Sequence, residues 1–371
     1  MRRRALLGLA GTLPLGCTAV AQGPDPGDNA SGGLRDLARP RGLTFGTAVR
    51  SDKLAVGPTL SALVAREAEL LVPEWEGKWD ALQPQRGRFD FEPLRAVLRL
   101  AQANRQRVRG HALLWHEAMP PWLAPALAEG QSQAQQILET HITTVLGETR
   151  AAIRDWDVVN EVISAPPGGD NPGPANGDLR PSPWLSALGP GYIERALRLA
   201  RQADPTLRLT MNEFAVYADT PWAQAKREGL LRVVRGLLDR NCPLDAIGIQ
   251  GHLQMREPFR PEPFVQFLTT LRGMGLSVLI TEMDVREPDV LAPTLAARDA
   301  AVAEYAGAFL QAARDGGART FLVWGLTDRD SWLLSDPGVA RHDGQTTRGH
   351  PYDSELRPKA LQARLAQFFS A

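Results

Sequence analysis

Residues 41–371 are expected to form a single α/β domain, a (β/α)8 TIM barrel, and three observations predict it. Short apolar runs alternate with longer amphipathic stretches eight times along the chain. No low-complexity stretch divides those repeats into two domains. Several of the longer stretches carry apolar residues at helical spacing and stop at Gly or Asn just before the next run.

The elements follow in order. The opening "MRRRALLGLAGTLPLGCTAVA" pairs three arginines with an apolar stretch too short to span a bilayer. Ala19-Val20-Ala21 is a small-residue cleavage pattern, so residues 1–21 read as an export signal peptide and the mature protein as secreted, periplasmic or extracellular. Arg3-Arg4-Ala5-Leu6-Leu7 loosely fits a twin-arginine signal, whereas Pro14 argues against lipoprotein processing at Cys17. Residues 22–40, rich in Gly, Pro and Asp, read as a flexible linker. The strands are expected at 43–49, 70–73, 108–115, 156–160, 207–212, 246–252, 278–284 and 320–326. Stretches such as "FEPLRAVLRLAQANRQ" and "GYIERALRLARQA" supply the helices between them. Two long segments, 164–184 after the fourth strand and 327–353 after the eighth, should overhang the same rim, where long loops are usually functional.

Composition removes several functions. Basic and acidic residues number 42 each, so no nucleic-acid or anionic-membrane partner is expected, and no segment after the leader suits a membrane span. With Cys17 in the leader, Cys242 has no disulfide partner, and its place in "RNCPLD" suits a semi-buried thiol. The chain lacks a phosphate loop, a zincin helix motif and a G-x-S-x-G elbow. His111 and His116 have no clear carboxylate set around them, so neither metal nor cofactor is expected.

Chemistry is carried by polar strand ends. "DWDVVNEVIS" runs from a buried strand into Asn160 and Glu161, and "SVLITEMDV" delivers Glu282. A single strand-end Glu is better explained by a helix cap or an arginine partner. Two at matching ends of one barrel suit glycoside hydrolysis, in which one carboxyl protonates the departing oxygen while the other attacks or activates water. Side chains at i and i+2 of a strand share a face, so Glu282 pairs with Asp284 and Gln250 with His252. His252 held by Asp284 can donate to Glu282 and keep it ionised. Trp115, Trp324 and Trp332 sit at strand ends three and eight, where indoles can stack on sugar rings or simply pack. Lys78, His111, Asn160 and Asn212 also fall at strand ends, within reach of sugar hydroxyls.

Taken in order, "PEWEGKWDALQPQRGRFDF", "RGHALLWHEAMPPWL", "DWDVVNEV", "LTMNEF", "IGIQGHL", "LITEMDV" and "VWGLTDRDSW" resemble the motifs of the glycoside hydrolase family 10 endo-β-1,4-xylanases over about residues 42–366. The resemblance implies a retaining endoglycosidase acting on xylan. It implies Glu161 as acid/base, Glu282 as nucleophile, and His252 and Asp284 as the pair tuning Glu282. Lys78, His111, Asn160, Asn212 and Gln250 would bind sugar around the cleaved bond, with Trp115, Trp324 and Trp332 on the glycone side. Two positions depart from the family pattern: Trp75 stands where Asn is usual, and Ala118 where Gln is usual. Trp75 either stacks on a sugar or closes the distal subsite. The alternatives are a retaining β-glycosidase of the same fold for another or substituted β-linked glycan, and a non-catalytic glycan-binding barrel. The expected partner is a polysaccharide, xylan or a related β-glycan, and the expected state a monomer.

Overall fold

A computed structural model describes residues 32–164, 177–289, 292 and 294–371. Its strands are β1 (Thr44–Val49), β2 (Leu70–Pro73), β3 (Arg107–Gly110), β4 (Ile153–Asn160), β5 (Arg208–Glu213), β6 (Ala246–Ile249), β7 (His252–Gln254), β8 (Ser277–Arg286) and β9 (Thr320–Val323). Every pairing between them is parallel. The order β1-β2-β3-β4-β5-β6-β8-β9 closes on itself, giving the expected eight-stranded barrel. β7 is the outward continuation of β6 and pairs only with β8, from Asp284 to Arg286. The expected sixth strand thus breaks after Ile249, where Gly251 takes a φ of +80°, a conformation that costs glycine little. The third and eighth strands also end earlier than expected, at Gly110 and Val323.

Parallel strands covered on both faces read as apolar runs, and helices between them supply the outer cover. The helix Glu92–Ala103 buries Leu94, Val97 and Ala101, one stripe at helical spacing, while its other face is solvated. Thr220 caps the helix Pro221–Asp239 by accepting from Ala223 N at 3.1 Å, with Pro in the first turn where its missing N–H costs nothing. Among the described residues no helix is long and apolar enough to cross a membrane.

The barrel interior is divided by character. On the β1, β2 and β9 side it is apolar, with Ala48, Leu70, Val72, Leu322 and Trp324 in one small cluster. Toward β3, β4, β5 and β8 it is polar: Arg109, Asp157, Thr210, Asn212 and Thr281 are all buried. Gly110 shows how tightly this wall closes. A Cβ there would lie 2.1 Å from the wholly buried indole of Trp156 on the neighbouring strand. Gly110→Ala is therefore expected to destabilise the fold by about 1–3 kcal/mol, the usual range for overpacking, or more. Chemical denaturation would measure it, and an unchanged midpoint would mean that β3 and β4 pack more loosely than described.

The expected linker over 22–40 is corrected at its end. Residues 22–31, like the expected leader over 1–21, lie outside the described residues, but Leu34–Ala38 is a helix with Leu34 and Ala38 buried. Leu34 N donates to Glu67 Oε2 at 2.9 Å, and a Cβ on Gly33 would collide with Arg66 O. The Gly and Asp content outweighed a short apolar pattern at Leu34, Leu37 and Ala38 that is enough to dock one turn of helix.

Candidate active site

The polar half of the barrel opens into a cavity of about 600 Å³ at the carboxyl ends of the strands. Glu161 is the first residue past β4. Its φ of +57° is unusual for a residue with a side chain, and the surroundings hold it there. Its N–H donates to Asn212 O and its carbonyl accepts from Arg180 Nε, both at 2.9 Å. Its Oε1 accepts from Gln250 Nε2 at 3.0 Å and lies 3.4 Å from Asn160 Nδ2.

Glu282 lies within β8 rather than at its end, because β8 runs on to pair with β7. The register between β8 and β9 slips between Ile280 and Met283. In a regular strand Thr281 and Glu282 would face opposite ways. Here both reach Asn212: Thr281 Oγ1 donates to its Oδ1 at 2.7 Å, and its Nδ2 donates to Glu282 Oε1 at 2.6 Å. A bulge re-aims a side chain in this way. A similar slip in β4 between Asp157 and Val159 lets Asn160 face inward two places after Val158, where it accepts from Asn212 Nδ2 at 2.9 Å.

His252 links the two acids of β8. Its Nδ1 is 3.0 Å from Asp284 Oδ1 and its Nε2 3.2 Å from Glu282 Oε2. Carboxylates only accept, so both ring nitrogens carry protons and the ring is an imidazolium. Burial opposes that charge, but Asp284 and then Glu282 outweigh it and push His252 up to about 10. For Glu282 burial likewise opposes ionisation. The charge of His111, the hydrogen bond and charge of His252 and the Asn212 amide outweigh it and bring the carboxyl down to about 2. Glu282 is therefore a buried carboxylate at neutral pH.

A deeper pair supports His111. Arg109 donates to both oxygens of Asp157, both residues being fully enclosed, and His111 Nδ1 lies 3.0 Å from Asp157 Oδ2. His111, Asp157 and Glu282 bring donor atoms close enough for a metal ion, but Arg109 already occupies both Asp157 oxygens. That arrangement fits an ion-pair network.

Of the residues singled out in the sequence, Lys78, His111, Trp115, Asn160, Glu161, Gln250, His252, Glu282, Trp324 and Trp332 line the cavity. Lys78 Nζ lies 4.9 Å from the Trp115 ring centre and 5.9 Å from that of Trp324. Asn212 and Asp284 stand behind the wall and act through Glu282 and His252. Trp75 is outside it, 40% exposed beside Glu74, which does line it. The long segment after β9 overhangs the rim through Trp332, Asp336 and Val339. Residues 165–176 of the other long segment lie outside the described residues.

Sequence reasoning missed several of the lining groups. Glu74 directly follows β2, the same strand-end signal that picked out Glu161. Burial pushes its carboxyl up to about 7 against the pull of Lys78 and Arg50. Phe214 and Trp222 form an aromatic wall after β5, with the buried Lys226 ammonium 3.3 Å from the Phe214 ring centre. Lys226 is paired with Glu213 at 2.7 Å, a buried couple that no local pattern announces.

Chemically, the site offers one carboxylate held ionised and a second carboxyl joined to it through Gln250, Asn160 and Asn212. That combination suits proton delivery and attack on a bond laid across the cavity. Residues 33–367 match the profile of glycosyl hydrolase family 10. Endo-1,4-beta-xylanase B of Thermotoga neapolitana is 31% identical over 333 residues, 88% of each chain. The endo-1,4-beta-xylanase of Agaricus bisporus is 31% identical over 316 residues, 85% of this chain and 87% of that one. Among solved structures, native xylanase 10B from Thermotoga maritima superposes with a TM-score of 0.80 at 28% identity, over 91% of this chain and 98% of that one. Xylanase 10B from Thermotoga petrophila RKU-1 in complex with xylobiose gives 0.80 at 27% identity, over 91% and 97%.

Proposed function

The chain belongs to glycosyl hydrolase family 10 and is a glycoside hydrolase, and from that premise we propose that it is an endo-1,4-β-xylanase that cleaves internal bonds of xylan with retention, by double displacement through Glu282. The observation that carries the reading is the placement of Glu282, enclosed and bonded to Asn212 and His252 while facing the same cavity as Glu161. Retention requires the two carboxyls to stand about 5–5.5 Å apart, against the about 6.5–9.5 Å that an inverting base leaves for water. Glu161 gives its proton to the leaving oxygen, then takes one from the water that resolves the glycosyl ester. Asn160 hydrogen-bonds the 2-hydroxyl of the reacting sugar. Reducing-sugar release compared on xylan, mannan and mixed-linkage β-glucan tests the substrate. Faster release from either of the latter two would move the assignment to another β-linked glycan.

The distal glycone subsite is altered in this proposal. The Asn and Gln usual in the family are Trp75 and Ala118 here, which removes two side-chain amides. The Trp75 indole stands clear of the cavity wall, which favours a stacking platform over a plug. Trp75→Asn is then expected to raise KM for xylotetraose about 3–10-fold with kcat little changed, the usual worth of one aromatic contact. A lower KM would instead mean that the indole obstructs the subsite.

A further inference from the structure

The loop after β9 contains a histidine that the mechanism above does not use. His350 is wholly buried. Its Nδ1 is 3.0 Å from the carbonyl of Gly325 and its Nε2 2.6 Å from Ser331 Oγ. A carbonyl can only accept, so Nδ1 carries the proton. Burial pushes the imidazole down to about 4, so the ring is neutral and Nε2 is an acceptor. Ser331 Oγ–H must then donate to Nε2, while the same oxygen accepts from Leu333 N at 3.1 Å and caps the short turn Trp332–Ser335. Gly325 directly follows Trp324 and Ser331 directly precedes Trp332. One imidazole therefore spans the two ends of the segment that separates Trp324 from Trp332.

The chain of contacts continues to the reacting carboxylate. Trp332 Nε1 donates to Asp284 Oδ2 at 2.5 Å, and its ring meets that of His252 edge-on with centres 4.9 Å apart. Asp284 holds His252, and His252 holds Glu282. The far side of the segment is tied separately, since Asp328 accepts from His350 N at 3.1 Å and from Lys359 Nζ at 2.7 Å.

We propose that His350 is a positioning residue for hydrolysis: by clamping Gly325 to Ser331 it seats Trp332 against Asp284, and so sets both the sugar platform and the His252 contact that aims Glu282. This rests on the reading of Glu282 as nucleophile. Loss of the clamp frees Trp332 to leave Asp284, which loosens His252 and lets the Glu282 carboxyl rise. Ionised Glu282 is required, so the acid limb of kcat/KM moves to higher pH.

The test compares His350→Leu, Ser331→Ala and His350→Gln in the full chain, with azide rescue of Glu282→Ala run beside them. For His350→Leu and Ser331→Ala the expected result is a KM for xylotetraose raised about tenfold, about 1.4 kcal/mol, with kcat falling less. The acid limb should move up by about one pH unit. His350→Gln, whose amide oxygen can accept from Ser331, should recover most of both changes. If His350→Leu does not fold, Ser331→Ala decides alone. Variants that fold but leave KM and the acid limb unmoved would overturn the proposal while the rescue succeeds. Failure of the rescue would remove Glu282 as nucleophile and this inference with it.

Discussion

Glu282→Ala is expected to abolish hydrolysis of xylan, and azide is then expected to restore cleavage with the opposite anomeric configuration. The first effect should be at least about 10⁴-fold in kcat, the scale on which removal of a nucleophile acts elsewhere. Three polar neighbours aim the carboxylate: Asn212 at 2.6 Å, His252 at 3.2 Å and, farther off, His111 at 3.8 Å. Removing it leaves a small, positively biased vacancy on the face of the sugar opposite the leaving group. Azide is an anion of suitable size, and Glu161 remains to protonate the departing oxygen. Attack from that vacancy gives one displacement in place of two, hence inversion. Anomeric assignment of the glycosyl azide by NMR reads the result. Residual turnover that ignores azide and still retains configuration would take the nucleophile's role away from Glu282. Because the Asn212 amide and His252 lose a partner in a buried place, some loss of stability should accompany the change, about 1–3 kcal/mol. A melting curve taken beside the kinetics separates that loss from the chemistry.

How far these residues could be foreseen depends on whether the deciding force is local. The eightfold repeat was legible because strands covered on both faces must be apolar throughout, and helices between them must have one apolar stripe. Glu161, Glu282 and His252 were legible for a related reason: a polar group at the end of such a run has no place in the core and falls on the rim. The i and i+2 rule placed His252 beside Glu282 and Asp284, and their hydrogen bonds agree with it. The same rule fails one residue away. Thr281 and Glu282 both meet Asn212 only because the register slips in β8, and a slip is a property of two strands rather than of one. Buried charge is invisible for the same reason. Arg109 and Asp157 come from different strands, Lys226 and Glu213 from a helix and a strand, and either member alone reads as a surface residue. His350 sits in a segment without periodicity, and its partners lie 25 and 19 residues away. Trp75 was legible only as a departure from a family pattern; its exposed position needed the fold.

Glu161→Ala should divide substrates by their leaving groups. A xylan chain departs as a poor leaving group that needs a proton, so its cleavage is expected to fall about 10²–10⁴-fold, the usual contribution of general acid catalysis. A dinitrophenyl xylobioside departs without one, so Glu282 can still form the glycosyl-enzyme at a rate close to normal. Water must then resolve that ester with no base to activate it. The intermediate should accumulate, visible as a burst of dinitrophenol followed by slow turnover and as a mass increase on the intact protein. Azide needs no base and should speed the slow phase. It enters from the side that Glu161 vacated, after one inversion has already occurred at Glu282, and so the glycosyl azide should have retained configuration. The two alanine variants thus give azides of opposite configuration from the same sugar, an outcome that only a double displacement across one cavity produces. The geometry gives this variant a structural control as well. Glu161 has a φ of +57°, and its backbone is pinned by Asn212 and Arg180, not by its own side chain. Truncation at Cβ therefore leaves the turn in place and frees the Gln250 amide at 3.0 Å and the Asn160 amide at 3.4 Å. Glu161→Gln keeps those contacts and cannot deliver the proton in the same way, so it should reproduce the split between xylan and the activated glycoside. Equal losses on both substrates would mean that Glu161 shapes the site without donating to the leaving oxygen.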